Sequence, residues 1–557
     1  MKAFAACALL GAAALSAQPP GPSFPVRIDV DAARPQGGLA PIWRFFGADE
    51  PNYATMQDGR RLLGELGGLR PGQVYFRAHN LLTTGDGTPA FKWGSTNAYT
   101  EDAAGRPVYD WTILDRIFDA YRAAGVRPYV EIGFMPQALS LHPVPYRHHW
   151  PRGGLATGWS YPPTDYHRWA ELVYRWTEHC VRRYGADEVA RWYWEVWNEP
   201  NLPAYWHGSA EDFFRLHDYA VEAVRRALPA ARIGGPDSAG AGGPFLRRFL
   251  AHCARGVNAA TGGRGTPVDF LSFHAKGRPE YRDGHVRMGL DVQLRAVDEG
   301  FALIASYPEF RDKPIVIGES DPDGCAACVG PQLAYRPGTL YASYTADCLA
   351  REWELAGARG VHLQGALTWA FEFEGQPYFS GQRVLATNGI DLPILNVFRL
   401  YSRLGTARVQ AASSGEIPLA EVMARGVRGR PDVGTLATAG PGRLAVLVWH
   451  YHDDAVPGPA ADVRLNVTGL AAAGSTVALE HFRIDERHSN AFAAWKRMGA
   501  PPKPTPAQYD ALREAGALQT LGAPRRLAVA DGQVTLRFAL PRQAVSLLVF
   551  HWPAAGR

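Results

Sequence analysis

The stretch ARWYWEVWNEPNLP, residues 190–203, decides the fold class. Its first part, WYWEVWN (192–198), is almost entirely apolar and aromatic, which predicts a buried β-strand. This part ends in Asn198, and Glu199 and Pro200 come next, at the point where the strand should give way to a loop. A polar pair at the end of a buried strand is unusual, so its side chains are candidate functional groups.

Seven more short apolar runs lie between residues 40 and 400, and amphipathic stretches separate them. The predicted strands are 42–47, 74–79, 127–135, 192–198, 231–236, 269–275, 313–320 and 366–373. Helical periodicity is clear in 111–125, 165–185, 209–228 and 339–357, and several of these stretches end at glycine. Strands that alternate with helices imply parallel pairing, so eight such units predict an α/β fold, a (β/α)8 TIM barrel over residues 40–400.

The pattern changes to strand-like runs between turns after residue 400. These runs are 443–453, 461–469, 475–485, 533–540 and 544–552. They predict an accessory C-terminal β-sandwich domain over 401–557, interrupted by a helical insertion at 491–516. The alternating stretch VRIDVDA (26–32) leads us to expect that segment 18–39 adds a strand to this sandwich.

Composition and charge limit the classes of partner. The 58 basic and 54 acidic residues give a net charge of +4 and form no polybasic tract, so nucleic acid is not an expected partner. Residues 1–17 resemble a signal peptide, because the apolar run from Ala3 to Leu15 is too short to span a bilayer. We therefore expect a secreted or periplasmic protein with no membrane partner, and the oligomeric state stays open.

Cleavage of that peptide would remove Cys7 and leave five cysteines. Three states remain open for the Cys325-Ala-Ala-Cys328 pair: a disulfide, two free thiols, or part of a metal site. A metal site is the least favoured, because a second ligand pair at suitable spacing is missing.

Two glutamates end predicted strands on opposite sides of the barrel. Glu199 follows the fourth strand and Glu319 ends the seventh. Active sites of such barrels lie at the carboxyl ends of the strands, so we expect these side chains to face each other across a pocket. One such glutamate alone is more often a helix-terminal residue or an ion-pair partner, but two facing carboxyl groups are what glycoside hydrolysis requires. Asn198 would donate a hydrogen bond to the sugar 2-hydroxyl. The mechanism uses proton transfer and a covalent ester, neither of which requires a metal or another cofactor, so we expect none.

WEVWNEPN and VIGESDP resemble the retaining (β/α)8 glycosidases, and four longer stretches make the resemblance more specific. YFRAHNLL, DFLSFHAKG, GESDPDGC and FSGQRVLATNGIDLP are similar to sequences of glycoside hydrolase family 39, which includes β-xylosidases and α-L-iduronidases. The resemblance implies that Glu199 is the acid/base and Glu319 the nucleophile. It covers nearly all of the chain that follows the signal peptide.

The resemblance also implies roles for other residues. His79 and His274 would line the sugar site, and Trp369 would lie under the apolar face of the sugar ring; packing in the core is the alternative for each. Lys276 and Arg383 match basic residues that bind the substrate carboxylate in iduronidases, or they could instead be neutralised by Glu372 and Glu374.

These observations lead us to expect an enzyme that releases terminal β-D-xylosyl residues from xylo-oligosaccharides with retention of configuration. An α-L-iduronidase-like or α-L-arabinosidase activity on the same scaffold is the second hypothesis. A carbohydrate-binding protein without catalysis is a third, which the presence of both Glu199 and Glu319 disfavours.

Overall fold

A computed structural model describes residues 23–92, 94–147, 156–470 and 475–553. Eight parallel strands close into a barrel in chain order, and the eighth pairs with the first. They span Phe45–Ala48, Val74–Ala78, Val126–Ile132, Tyr193–Val196, Arg232–Ser238, Phe270–Lys276, Pro314–Asp321 and His362–Thr368. The predicted TIM barrel is thereby confirmed.

Helices surround the barrel and cover its outer face. The α-helices of the barrel region are Gln57–Leu69, Thr112–Ala123, Tyr166–Tyr184, Ala186–Val189, Ala210–Ala227, Pro244–Arg255, Leu290–Ala305, Thr339–Arg359 and Pro393–Ser402. Short 3-10 helices lie at Pro51–Thr55, Gln137–Leu139 and Pro331–Leu333. Four two-stranded hairpins pair Tyr99–Glu101 with Pro107–Tyr109, Tyr146–Arg147 with Ala156–Gly158, Glu280–Arg282 with His285–Arg287, and Ala386–Thr387 with Ile390–Asp391.

The fourth strand is buried on both faces because helices cover one side and the barrel interior the other. Trp194 points outward and packs edge-on against Trp176 of a surrounding helix. Tyr193 points inward and stacks on Tyr129, in an aromatic layer at the bottom of the barrel. Side chains alternate along a strand, so Glu195 also points inward, one layer nearer the mouth.

The accessory domain is one curled, mixed sheet of ten strands. Its strands are Ser23–Gly38, Ala407–Ser413, Asp432–Gly440, Arg443–Tyr451, Ala460–Thr468, Thr476–Ile484, Gln519–Thr520, Arg525–Ala528, Val534–Leu540 and Val545–His551. Residues from distant strands of the sheet, such as Val463 and Leu479, share one buried cluster, which is consistent with a sandwich. Helices Leu419–Arg425, Ala491–Arg497 and Pro506–Gly516 are also part of this region.

The N-terminal strand lies inside the accessory sheet. It pairs antiparallel with Ala407–Ser413 and parallel with Ala460–Thr468. The predicted signal peptide, residues 1–17, lies outside the described residues. Within the part of the chain that the structure describes, no helix combines the length and apolar character needed to cross a membrane.

Several predicted strand limits are wrong: the first strand begins at Phe45 and not at residue 42, and the third ends at Ile132 and not at residue 135. The eighth strand runs from His362 to Thr368, not over 366–373, because the Asp321 carboxylate accepts the backbone N–H of Trp369 and the chain leaves the sheet there. The fourth strand stops at Val196 because Trp197 adopts a left-handed backbone with φ of 73°. Strands Ala407–Ser413 and Asp432–Gly440 were not predicted, since their patterns alternate less clearly.

A buried arginine joins the barrel to the accessory sheet. Arg351, on helix Thr339–Arg359, pairs with Asp347 of its own helix and with Asp432 of the sheet, and it also donates to the Ile417 carbonyl. Burial, together with the charge of Asp432, raises the pKa of Asp347 well above its usual range. The guanidinium is therefore the cation that these two buried carboxyl groups share at the domain joint.

Arg351→Ala should lower the free energy of unfolding by about 3–5 kcal/mol, because it leaves buried carboxyl groups without their cation. Urea titrations at pH 7 measure this change. Arg27→Ala is the control: its partner Asp29 lies in an exposed ion pair, so the free energy should hardly change. Equal effects of the two substitutions would contradict the role assigned to Arg351.

Candidate active site

Glu199 lies at the mouth of the barrel, directly after the fourth strand. Its backbone is left-handed, with φ of 45°, and its N–H donates to the Asp237 carbonyl of the fifth strand. Its side chain keeps 16% of its surface exposed, whereas that of Glu319 keeps 8%. Glu199 is therefore the carboxyl group nearer the solvent.

Glu319 lies near the carboxyl end of the seventh strand and is surrounded by cations. Lys276 Nζ donates to its Oε2 at 2.5 Å, and Arg77 Nη1 lies 3.8 Å from its Oε1. Burial alone would raise the pKa of Glu319, but the charges of Lys276 and His274 outweigh it and hold the pKa far below its usual range. Glu319 is therefore a carboxylate.

His274 brings the two glutamates together. Its Nδ1 lies 2.8 Å from Glu199 Oε1 and 3.9 Å from Glu319 Oε1. The two carboxylate oxygens cannot be farther apart than the sum of these distances. Retaining glycosidases hold their carboxyl groups about 5–5.5 Å apart and inverting ones about 6.5–9.5 Å apart, so this upper limit allows the shorter spacing.

A buried charge cluster forms the floor of the site. Arg77, on the second strand, pairs with Glu131 at 2.9 Å, Glu195 at 2.7 Å and Asp237 at 2.5 Å. All four side chains are inaccessible to solvent. Burial and the Asp237 charge raise the pKa of Glu195 to about 8, so this group is largely protonated at neutral pH.

Asn198 and His79 are both fixed by the floor. Arg77 Nη2 donates to Asn198 Oδ1 at 3.2 Å, and Asn198 Nδ2 has no hydrogen-bond partner among the described residues. His79 Nδ1 lies 2.9 Å from Asp49 Oδ1, and the other Asp49 oxygen accepts from the buried Lys92. Asn198 is therefore held with an unused amide donor.

Asp321 organises the wall of the site next to Glu319. One of its oxygens accepts from Lys276 Nζ at 2.7 Å, and its carboxylate also accepts the Trp369 backbone N–H. The Trp369 ring lies over the guanidinium of Arg77, 5.1 Å from Cζ to the ring centre, and 4.2 Å from the His79 ring. Trp369 is thus held at the base of the site by two strands.

Arg383 lies behind this wall with its side chain fully buried. Nη2 faces Asp321 at 3.4 Å and Nη1 donates to Asp323 at 2.8 Å. The hypothesis that Glu372 and Glu374 neutralise Lys276 or Arg383 is wrong: these glutamates accept backbone N–H groups of Gly389, Asp58 and Gly59 instead. Direct contact of Arg383 with a substrate stays a prediction.

Cys325 and Cys328 form a disulfide in the loop after the seventh strand. Arg336 donates to the carbonyls of both cysteines and to Asp323, so the loop is fixed against the wall of the site. Within the described ranges, no group of three or more His, Cys, Asp or Glu side chains is arranged to hold a metal ion.

Known proteins resemble this chain over most of its length. The family model described as Glycosyl hydrolases family 39 matches residues 26–535. The chain belongs to this family. One relative is the β-xylosidase of Geobacillus stearothermophilus, which is 27% identical over 510 residues that cover 88% of each chain. Another is the α-L-iduronidase of Mus musculus, which is 26% identical over 559 residues that cover 95% of this chain and 81% of the relative.

A solved structure of the family 39 enzyme from Xanthomonas axonopodis pv. citri matches with a TM-score of 0.74 and 25% identity, over 95% of this chain and 97% of that one. The resemblance seen in the sequence is thereby confirmed. The protein is a glycosidase.

The structure adds residues that sequence reasoning missed. They are Arg77, Asp237, Asp321, Asp49, Lys92, Glu131 and Glu195. A signal was present: Arg77 stands between Phe76 and Ala78, and Glu195 between Trp194 and Val196, so each is a charge inside an apolar strand. Residues two apart share a face, which places Arg77 in line with His79.

Gly47→Ala should disturb the site without unfolding the protein. A Cβ at position 47 would lie 2.4 Å from the Trp369 ring, so the ring must move. We expect a loss of about 10²-fold in kcat/KM on an aryl glycoside, typical of a misplaced binding group. Gly64→Ala, where the new Cβ meets nothing within 4 Å, is the control. Wild-type kinetics in Gly47→Ala would show that the Trp369 position is unimportant.

Proposed function

We propose that this glycosidase hydrolyses terminal β-D-xylosyl residues by a double displacement with retention of configuration. The observation that supports it best is the convergence of Glu199 and Glu319 on His274 Nδ1, at 2.8 and 3.9 Å. Glu319 attacks the anomeric carbon, while Glu199 first donates a proton to the leaving oxygen and then accepts one from water.

The environments of the two glutamates suit these different roles. A nucleophile must be ionised, and the cations around Glu319 keep it so. An acid/base group must reach the leaving group and then water, and Glu199 is the more exposed of the two. Asn198 Nδ2 would donate to the sugar 2-hydroxyl, a contact that strengthens in the transition state.

Charge balance supports a neutral sugar. The cations of the floor and wall are each paired with a carboxylate: Lys92 with Asp49, Lys276 with Glu319 and Asp321, and Arg383 with Asp321 and Asp323. A uronate would have to displace one of these pairs. A xyloside has no carboxylate and leaves them intact, so Arg383 would position Asp321 rather than bind substrate.

An α-L-iduronide is the second candidate, and Lys276 is the observation that favours it. Its side chain keeps 17% of its surface exposed beside Glu319, whereas that of Arg383 is fully buried. A substrate carboxylate could therefore reach Lys276.

We also propose that the protein is exported. The signal-peptide pattern of residues 1–17 and the Cys325–Cys328 disulfide support this, because disulfides persist in oxidising compartments.

A panel of aryl β-D-xyloside, α-L-arabinoside and α-L-iduronide separates the candidates. We expect turnover of the xyloside to exceed that of the other two, because no cation of the site is released from its partner for a uronate. Robust hydrolysis of the iduronide with none of the xyloside would reverse the assignment.

Glu319→Ala should abolish turnover of every substrate, because no covalent intermediate can form. Glu199→Ala should lose about 10²–10⁴-fold on substrates with poor leaving groups and far less in the first step with good ones. Added azide should yield a glycosyl azide of retained configuration from Glu199→Ala only. Glu280→Ala, an exposed strand residue, is the control. Unchanged hydrolysis in Glu319→Ala would refute the roles assigned to the two glutamates.

A further inference from the structure

The ring of His274 has a carboxyl oxygen at each nitrogen. Nδ1 lies 2.8 Å from Glu199 Oε1, and Nε2 lies 2.7 Å from Asp237 Oδ2. A neutral imidazole has one N–H and can donate to only one of these oxygens, while the imidazolium donates to both. The geometry therefore fits a doubly protonated ring.

The charges that face the ring support the same state. Glu199 approaches from the loop after the fourth strand, Asp237 from the fifth strand, and Glu319 from the seventh at 3.9 Å. Two cations lie nearby. Lys276 is on the sixth strand, as His274 is, and Arg77 reaches Asp237 from the second strand. Burial alone would lower the pKa of His274, but Asp237 and Glu319 raise it to about 10.

Asp237 is held in place at some local cost. Its backbone is left-handed, with φ of 50°, which is uncommon outside glycine. A Cβ on Gly318, the residue before Glu319, would lie 1.8 Å from Asp237 Oδ1. The seventh strand therefore needs glycine at position 318 for the carboxylate of Asp237 to lie where it does.

We propose that Asp237 and His274 are a positioning pair that keeps an imidazolium against Glu199 Oε1, so that the catalytic proton of Glu199 resides on Oε2. The proposal rests on the proposed acid/base role of Glu199. With Oε1 already accepting Nδ1–H, Oε2 is the oxygen that can donate to a substrate.

The proton balance of the reaction is then simple. In the first step the Oε2–H bond of Glu199 breaks and the proton goes to the glycosidic oxygen. The bond between that oxygen and the anomeric carbon breaks, the leaving group keeps its electron pair, and an oxygen of Glu319 bonds to the anomeric carbon. In the second step water gives a proton to Oε2 while its oxygen bonds to the anomeric carbon, and the bond from Glu319 to that carbon breaks and returns its electron pair to the carboxylate. His274 keeps both protons throughout and stabilises the carboxylate that exists between the steps.

A neutral His274 would misplace that proton. If Nε2–H donated to Asp237, the lone pair of Nδ1 would face Glu199 Oε1 and accept a proton from it. The proton would then point at His274 instead of the substrate. Loss of the Asp237 charge should have this effect.

An NMR titration of the full chain labelled with 15N-histidine tests the charge state directly. The His274 signals, assigned by their loss in His274→Gln, should show both nitrogens protonated up to about pH 8. Burial lowers the pKa of His217 to about 4, so that ring should be neutral in the same spectra. Titration of His274 with a midpoint near its ordinary value of about 6.5 would overturn the proposal.

Asp237→Asn tests the catalytic consequence. We expect a loss of about 10²-fold in kcat/KM on xylobiose, which is the lower end of the rate enhancement that a general acid supplies. We expect little loss on 2,4-dinitrophenyl xyloside, because its leaving group departs without a proton. A new ionisation at about pH 6–7 should enter the kcat/KM profile as His274 becomes titratable.

Asp218→Asn is the matched control. Asp218 is a buried carboxylate whose Oδ1 lies 2.9 Å from His252 Nε2, among the helices outside the barrel interior. This substitution should change neither the leaving-group dependence nor the pH profile. Equal losses on both xylosides in Asp237→Asn, with an unmoved profile, would reduce the pair to a structural role and overturn the proposal.

Failure of the proposed function would look different. If the wild type hydrolyses no glycoside of the panel, the role of Glu199 fails, whereas the NMR titration still decides whether His274 is an imidazolium. Should Asp237→Asn not fold, the wild-type titration alone decides the matter.

Discussion

One buried cation, Arg77, supports the site. Its guanidinium pairs with Asp237 and contacts the carboxyl groups of Glu131 and Glu195 in a region without solvent, where an unpaired charge would cost several kcal/mol. The same group donates to Asn198 and lies under the Trp369 ring. Through Asp237 it also fixes His274, and His274 contacts Glu199. The positions of the amide, the aromatic floor and the proposed acid therefore depend on a single side chain of the second strand.

The sequence was sufficient to predict the barrel because its strands are short apolar runs and four of the helices between them show clear helical periodicity. The strand ends predicted that Glu199 and Glu319 lie at one face of the barrel. His79, His274 and Trp369 were expected at the same face from the family resemblance. The partners of Lys276 and Arg383 were not predictable. Glu372 and Glu374 are near Trp369 in sequence, but the chain leaves the sheet at that residue and carries them away. Asp321, which is paired with Lys276 on the neighbouring strand, contacts both cations instead.

Reaction and substrate depend on different parts of the site. Two carboxyl groups near one imidazole define the chemistry, and the comparisons with family 39 relatives agree with it. We propose that the sugar is selected at the wall, where Asp321 is shared among Lys276, Arg383 and the Trp369 backbone. A change in that shared carboxylate would release cations, and this is how the same barrel could accept a neutral or an acidic sugar.

In the proposed mechanism, Glu319 forms a covalent bond to the sugar while Glu199 transfers the proton. Incubation with 2,4-dinitrophenyl 2-deoxy-2-fluoro-β-D-xyloside, followed by proteolysis and mass spectrometry, tests it most directly, because the fluorine slows hydrolysis of the intermediate. We predict a single labelled peptide, modified at Glu319. A label on Glu199, or an active enzyme that is never labelled and releases a product of inverted configuration, would contradict the account.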